Sequence, residues 1–297
     1  MPTWMPKRST ESEATIAYMS DLIDRHVRKC EADGLAESTI DKRQELLLRL
    51  DRDLPMGLGQ ATTEELQDFL ARYRKAETKA SYYGHIVGFF KWACDPRAPR
   101  IDYNPAIGLS RPRTPRGLPK PATDAEVAFA LATLPHPWLA YVALAAYEGA
   151  RCIEISRLDR RNITEQETRL HGKGDKERVL KTHAEVWRIV QGLPPGPIAY
   201  RIAGKGGVDA DYVSSSARWK LARIGMEGMT LHRFRHWYAT TQLKPVKYGG
   251  AGASIRTVQE NMGHANLAST AIYTLVTNEE RADAIDSLPT FSAPSPR

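Results

Sequence analysis

Ten consecutive residues, Trp138 to Tyr147, read Trp-Leu-Ala-Tyr-Val-Ala-Leu-Ala-Ala-Tyr and predict a helix that is apolar nearly all round. A helix without a polar face belongs inside a core, so other elements have to cover it on every side. Pro137 opens the segment and Gly149 closes it. Arg151 then leaves the end of a buried helix, where a permanent cation needs a partner. Glu154 stands three residues on, placed to hold the guanidinium from behind.

Around this helix the pattern is mixed. Thr123-Asp124-Ala125-Glu126 is a capping box that starts a helix through Val127, Leu131 and Leu134. Downstream the period changes: Arg169-Leu170-His171 and Glu177-Arg178-Val179-Leu180 flank the turn Gly172-Lys173-Gly174-Asp175, which reads as a β-hairpin. Residues 184–221 are mainly helical and are interrupted by Pro194-Pro195-Gly196-Pro197.

The stretch from Leu231 to Tyr273 carries the chemistry. His232 and Arg235 are three apart at the start of a helix, so they face the same way where peptide N–H groups favour an anion. His264 follows Gly263 at a helix boundary, and Tyr273 lies nine residues further, about two and a half turns if the helix is continuous. Imidazole, guanidinium and phenol can thereby converge on one phosphate. The Gly-rich segment 247–253 precedes these last elements. Beyond Tyr273, Ala282, Ile285 and Leu288 mark a short amphipathic helix, and Ser292 to Arg297 reads as a disordered tail.

The first hundred residues predict four helices. The first begins near Thr10, with Ile16, Met19, Ile23, Val27 and Cys30 as its stripe. The second starts at Ser38 with Ile40, Leu46, Leu47 and Leu50 inward and Lys42, Arg43 and Arg49 outward. A third runs from Thr63 to Lys75 through Leu66, Phe69, Leu70 and Tyr73. The fourth, Thr78 to Ala93, buries Tyr83, Ile86, Val87 and Phe90. Together they make a compact bundle. The next stretch, Arg111 to Lys120, holds four positive charges, three prolines and no acid, which makes an extended basic strap.

Bulk properties narrow the class. The 297 residues allow two domains, each with its own core. No apolar run approaches the ~18 residues needed to cross a bilayer, and the start lacks the apolar core of a secretory signal, so a cytoplasmic protein is expected. Three cysteines, odd in number and without a C-x-x-C, predict reduced, buried thiols and neither a disulfide framework nor a cysteine zinc site. The net charge of +7 suits a nucleic-acid partner. There is no His-Glu-x-x-His set and no Walker loop, so neither metal nor nucleotide cofactor is expected.

Taken in order, Arg151, the hairpin lysine, His232-x-x-Arg235, Gly263-His264 and Tyr273 resemble the motif series of the tyrosine recombinase (phage integrase) family. The likeness spans roughly Thr123 to Tyr273, with a fainter match upstream through Tyr103-Asn104-Pro105-Ala106; Phe234 stands where the family commonly has Leu. The resemblance implies a mainly α fold, with a four-helix, SAM-like core-binding domain (10–110), a basic linker (111–120) and a mainly helical catalytic domain with a small β-hairpin (121–277). Residues 1–9 would be a flexible start, and 278–297 a tail carrying a helix that docks on a neighbouring protomer. No arm-binding domain precedes residue 10 in this reading.

For the site, the family implies Tyr273 as nucleophile, His232 as its base aided by His264, and Arg151 and Arg235 on the non-bridging oxygens. Lys173 would be the general acid, with Lys176 as the fallback, and Glu154 the support. A phenol with a pKa near 10 needs a base during attack, and the 5′ oxygen needs a proton to leave. Lys42, Arg43, Lys79, Ser81 and Tyr82 of the bundle, with Arg111, Arg113 and Arg116 of the strap, would contact DNA. The implied partners are double-stranded attachment sites, three further copies in a tetramer on DNA, and directionality or DNA-bending factors. Integration or excision of a phage or mobile element is the leading function. A host-type recombinase resolving chromosome dimers, a type IB topoisomerase and a non-cleaving DNA-binding regulator are the alternatives.

Overall fold

A computed structural model describes residues 10–114, 119–172, 177–201, 208–264 and 268–273, together with 285 and 287. The chain divides into two compact units, Met1–Gly117 and Leu118–Arg297.

The first unit contains α1 (Thr10–Ala32), α2 (Glu37–Asp53), α3 (Thr63–Ala71) and α4 (Ala76–Ala93). In α2 the buried residues are Ile40, Leu46, Leu47 and Leu50, the stripe the sequence predicts. In α4 the inward stripe is Ile86, Phe89, Phe90 and Ala93, spaced i, i+3, i+4, i+7. Phe89 thus replaces the expected Tyr83 and Val87, which are half-buried. The face of α1 is wider than expected, because Leu22 and His26 are also buried and Val27 only half so. Thr62 and Glu65 cap α3 reciprocally. That helix stops at Ala71, short of the expected Lys75, because the chain must turn back into α4 at Ala76. Tyr73 lies in this connection and packs edge-on against Tyr82 at 4.7 Å.

The second unit contains α5 (Asp124–Thr133), α6 (Trp138–Tyr147), α7 (Cys152–Arg157), strands β1 (Glu167–His171) and β2 (Glu177–Lys181), α8 (Ala184–Val190), α9 (Ala210–Arg223), α10 (Leu231–Leu243), α11 (Ile255–Asn261) and α12 (Ala268–Ala271). The apolar helix α6 is enclosed by α5, α8, α9 and α10, and every residue from Ala140 to Ala146 is buried. Thr123 and Glu126 form the predicted box at the start of α5. The strands are antiparallel, with Leu170 opposite Arg178 and Thr168 opposite Leu180. Opposed residues share a face, so Thr168, Leu170, Arg178 and Leu180 all turn toward the interior. Arg178 is thereby a cation on the inward face of a hairpin.

The segment after α10 folds back on the helix end. Ala251, Gly252 and Ala253 donate their N–H groups to the carbonyls of Thr241, Lys244 and Gln242 at 2.9, 2.9 and 2.8 Å. A Cβ at Gly250 would overlap the Lys244 carbonyl, so this close return needs glycine. The three thiols are free. Cys30 is buried, but Cys94 and Cys152 are half-buried, since one caps the end of α4 and the other opens α7. Among the described residues no helix is long and apolar enough to cross a membrane. Of the expected tail helix only Ile285 and Ser287 are described, and both are exposed. The rest of that expectation lies outside the described residues.

Candidate active site

The site is assembled where α6 gives way to α7. Gly149 has φ +58°, and a Cβ there would run into the Tyr238 ring. The left-handed turn aims its carbonyl at two guanidiniums: Arg178 Nη2 donates to it at 3.2 Å, and Arg235 Nη1 makes a shorter bond. At the next turn the Arg151 N–H donates to Glu154 Oε2 at 2.8 Å, which caps α7. Arg151 Nη1 reaches Glu154 Oε1 at 3.0 Å, and its Nη2 donates to the Gly263 carbonyl at 3.0 Å.

Glu154 is 1% exposed and serves two cations. Arg178 donates to it through Nη2 at 2.7 Å and Nε at 3.2 Å, and also to the carbonyls of Glu148 (3.3 Å) and Asn261. Burial alone would raise the Glu154 carboxyl. Hydrogen bonds and charge from Arg178, together with Arg151, hold it below the usual carboxylate range. Arg235, 3% exposed, donates through Nη2 to the Met262 carbonyl at 2.9 Å and to His264 Nε2 at 3.0 Å. Burial, then Arg151 and Arg178, push its guanidinium down to about 9. It stays charged at neutral pH. Arg151 and Arg178 therefore pair with one carboxylate whose charge Arg235 also feels, which leaves two positive charges in excess among these four groups, and the three arginines stitch residues 148–151 to 261–263.

Because arginine has no acceptor, His264 Nε2 must present its lone pair to Arg235. The ring hydrogen is then on Nδ1, which donates to Thr270 Oγ1 at 2.8 Å. Burial and the cations Arg235, Arg151 and Arg178 lower this imidazole to about 4, so it is neutral. Tyr273 is 4% exposed, and its hydroxyl lies 2.8 Å from Nδ1 of His236. Burial raises the phenol, an effect partly offset by Arg235 and Arg151. His236 is lowered to about 4 by burial, then by His232 and Arg235. The His232 ring meets that of His236 at 4.0 Å, and its own proton affinity is lowered by desolvation and by Arg235 and Arg151.

The structure thus brings Arg151, Glu154, Arg235, His264 and Tyr273 together, with His232 one helical turn from the phenol's partner. Two expectations change. The phenol bonds His236 and not His232, because Tyr273 returns to the second turn of α10. The helix from His264 to Tyr273 is also not continuous. Its predecessor α11 ends at Asn261, Gly263 turns left-handed at φ +58°, and α12 has only four residues. Sequence reading missed His236, although its i+4 spacing from His232 was a signal. It also missed Arg178, which the parity of Leu180 marks as inward-facing.

Lys173, Lys176 and Arg116 lie outside the described residues. Lys42, Ser81, Arg111 and Arg113 are exposed, and Lys79 is half-buried. Arg43 instead turns into the first unit, donating to His85 Nδ1 at 3.3 Å and to Cys30 Sγ at 3.1 Å. Tyr82 packs on Tyr73 and lies under the Arg49 guanidinium, 5.6 Å from its ring centre. Both residues named as DNA contacts are therefore engaged within the bundle. Among the described residues no group of three or more His, Cys, Asp or Glu is placed to hold a metal.

No family model matches the chain. Its curated relatives are recombinases. Tyrosine recombinase XerC of Shewanella amazonensis is 33% identical over 202 residues, 63% of this chain and about two thirds (66%) of that relative. Tyrosine recombinase XerA of Pyrococcus horikoshii is 26% identical over 90% of this chain and 93% of its own length. Among solved structures, a lambda integrase dimer bound to a COC' core site matches with a TM-score of 0.67 at 16% identity, covering 96% of this chain and 84% of that one. The XerH site-specific recombinase in a post-cleavage complex matches with a TM-score of 0.62 at 16% identity, over 90% and 84%. These two share the fold. Tyrosine recombinase XerC of Chromohalobacter salexigens is 30% identical over 238 residues, 73% of this chain and 72% of the relative, and on that match this chain belongs to the tyrosine recombinase family.

Proposed function

We propose that this protein cuts and rejoins DNA strands through a covalent bond between Tyr273 and a 3′ phosphate. The observation that carries the reading is a buried phenol, hydrogen-bonded to a neutral imidazole, beside a cluster with two positive charges in excess. A phosphodiester gains one negative charge as the phenol adds to phosphorus, and fixed cations stabilise that charge without reorganising. Arg151, whose side chain is 34% exposed, is the guanidinium open to the non-bridging oxygens. Arg235 gives its donors to two carbonyls and His264, so it acts as a buried charge and as the prop of His264. Lys173 in the hairpin turn is proposed to protonate the departing 5′ oxygen. The phosphotyrosine link keeps the bond energy, so a 5′ hydroxyl can reseal the strand.

The partner in this reading is double-stranded DNA. Support comes from the net charge of +7, from the exposed Lys42, Arg111 and Arg113, and from the similarly folded lambda integrase tetramer solved on a Holliday junction, with a TM-score of 0.66. A tetramer on DNA, a core-binding domain over 10–110 and a catalytic domain over 121–277 complete the proposal, with the DNA-containing cytoplasm as its place of action. The Gly-rich return at 247–253 is the feature behind an integrase role. The XerC and XerA names among the relatives favour a chromosome-resolving role. Sequenced recombination junctions separate the two, since integration joins element to host and resolution joins two copies of one site. The core reaction is tested with nicked suicide substrates: the protein should be trapped on DNA through Tyr273, while Tyr273→Phe binds and does not cleave. Normal cleavage by the variant refutes the nucleophile.

A further inference from the structure

We infer that His236, and not His232, takes the proton from Tyr273 as the phenol attacks phosphorus, with His232 standing behind it toward solvent. The inference rests on the reading of Tyr273 as nucleophile and assigns the base that reading requires.

Among the described residues the hydrogen-bond partner of the phenol is His236 Nδ1, at 2.8 Å. His264 has no acceptor to offer, because its Nε2 lone pair faces Arg235 and its Nδ1 hydrogen goes to Thr270. Arginines cannot accept. His232 touches the ring of His236 rather than the phenol, at 4.0 Å in an edge-on arrangement. The i, i+4 spacing on α10 stacks the two imidazoles on one face, with the exposed His232 at the outer turn and the half-buried His236 at the inner one.

The phenolic O–H breaks and its proton moves to His236 Nδ1, the Tyr273 oxygen bonds phosphorus, and the bond from phosphorus to the 5′ oxygen breaks. That oxygen takes a separate proton from the general acid. On rejoining, a 5′ hydroxyl attacks phosphorus and gives its proton back to the deprotonated general acid, the bond from phosphorus to the Tyr273 oxygen breaks, and His236 returns its proton to that oxygen. A neutral imidazole accepting on Nδ1 carries its own hydrogen on Nε2, so after transfer it is an imidazolium between Arg235 and His232. In the free protein burial and those neighbours hold His236 to about 4, and burial raises the phenol. Transfer ahead of attack is then strongly uphill, so the proton has to move while the new bond forms. The negative charge of the phosphate, growing in the transition state, is what makes an imidazolium acceptable there.

The experiment is single-turnover cleavage of a nicked suicide substrate by the full-length protein, with tyrosine or a fluorinated tyrosine of lower pKa at position 273. His236→Ala should lose roughly 10²- to 10⁴-fold in cleavage rate with its DNA affinity retained, and His232→Ala should lose less. Fluorination should speed His236→Ala by at least tenfold more than it speeds the parent protein, because a more acidic phenol depends less on its base. His236→Phe keeps a ring without an acceptor and replaces the alanine variant if that one fails to fold. Cleavage by a folded His236 variant within threefold of the parent overturns the assignment. So does equal fluorine sensitivity in parent and variant, or rescue confined to His232→Ala. A parent protein that forms no covalent complex at Tyr273 would instead overturn the reading of the nucleophile itself.

Discussion

Replacing Arg178 with Met keeps most of the side-chain length and removes the charge and every donor. The arginine side chain is 10% exposed and makes two bonds to the 1%-exposed Glu154, plus bonds to the carbonyls of Glu148, Gly149 and Asn261. Removing one partner of a buried ion pair costs about 3–5 kcal/mol, most of it from the charge left behind. Glu154 keeps two donors on Arg151, and methionine returns some apolar contact, so the lower end, about 3 kcal/mol, is expected for Arg178→Met. That is roughly a hundredfold in the folding equilibrium of the second unit. The assay is amide exchange of the buried α6 segment Ala140–Ala146, which reports full opening of that unit. Glu154→Gln in the same background completes a double-mutant cycle, with a coupling of about 1–3 kcal/mol expected for side chains in contact. A cost below about 1 kcal/mol, as for an exposed ion pair, or simple additivity with Glu154→Gln, would refute the account of the cluster.

Three further outcomes are expected. His26, His236 and His264 each sit near 4 in the folded protein against an ordinary 6.5, so the native state binds fewer protons. Their contribution to stability is full above about pH 6.5 and is lost as pH falls toward 4, by about 2–3 kcal/mol per group; urea midpoints unchanged down to pH 4 would contradict this. Arg111→Ala with Arg113→Ala should lower the salt slope of DNA binding by about two counterions, measured by titration at several ionic strengths, whereas an unchanged slope makes the strap a plain connection. Lys173→Ala should slow cleavage by roughly 10²- to 10⁴-fold, and a substrate with sulfur at the 5′ bridging position, which leaves without a proton, should restore most of the rate. If sulfur rescues Lys176→Ala instead, the general acid lies three residues along the turn.

Local pattern was enough for much of this fold. The unbroken apolar face of Trp138–Tyr147 could only be a core helix, and both Thr123–Glu126 and the strands around residues 172–176 announce themselves through short-range rules. What failed was the choice of partners. Tyr273 meets His236 across 37 residues of sequence, and nothing within a few residues of either one decides between His236 and His232. The register of Arg178 was legible from Leu180, yet its role depends on Glu154 and Asn261, which the chain brings to it from 24 residues before and 83 after. Arg43 reads as an outward cation on α2 until Cys30 and His85 appear beside it. Tyr73 belongs to the helical pattern of α3 by spacing, but the turn into α4 takes those residues first.

On the proposed function, the cluster around Glu154 also ties the substrate to the protein's stability. Burial, then repulsion from Arg151 and Arg178, makes Arg235 easier to deprotonate, down to about 9; the repulsive part is relieved when an oxyanion lies among the guanidiniums, so that part of the lost proton affinity and the gain of anion affinity have one origin. By linkage, a phosphate or sulfate held at a hundred times its dissociation constant adds about 2.7 kcal/mol to the folded state. The turns at Gly149 and Gly263, whose carbonyls are held by these arginines, gain first. On the proposed function DNA is in this sense a structural component of the site, and a preparation free of DNA, phosphate and sulfate carries the turns at Gly149 and Gly263 under electrostatic load.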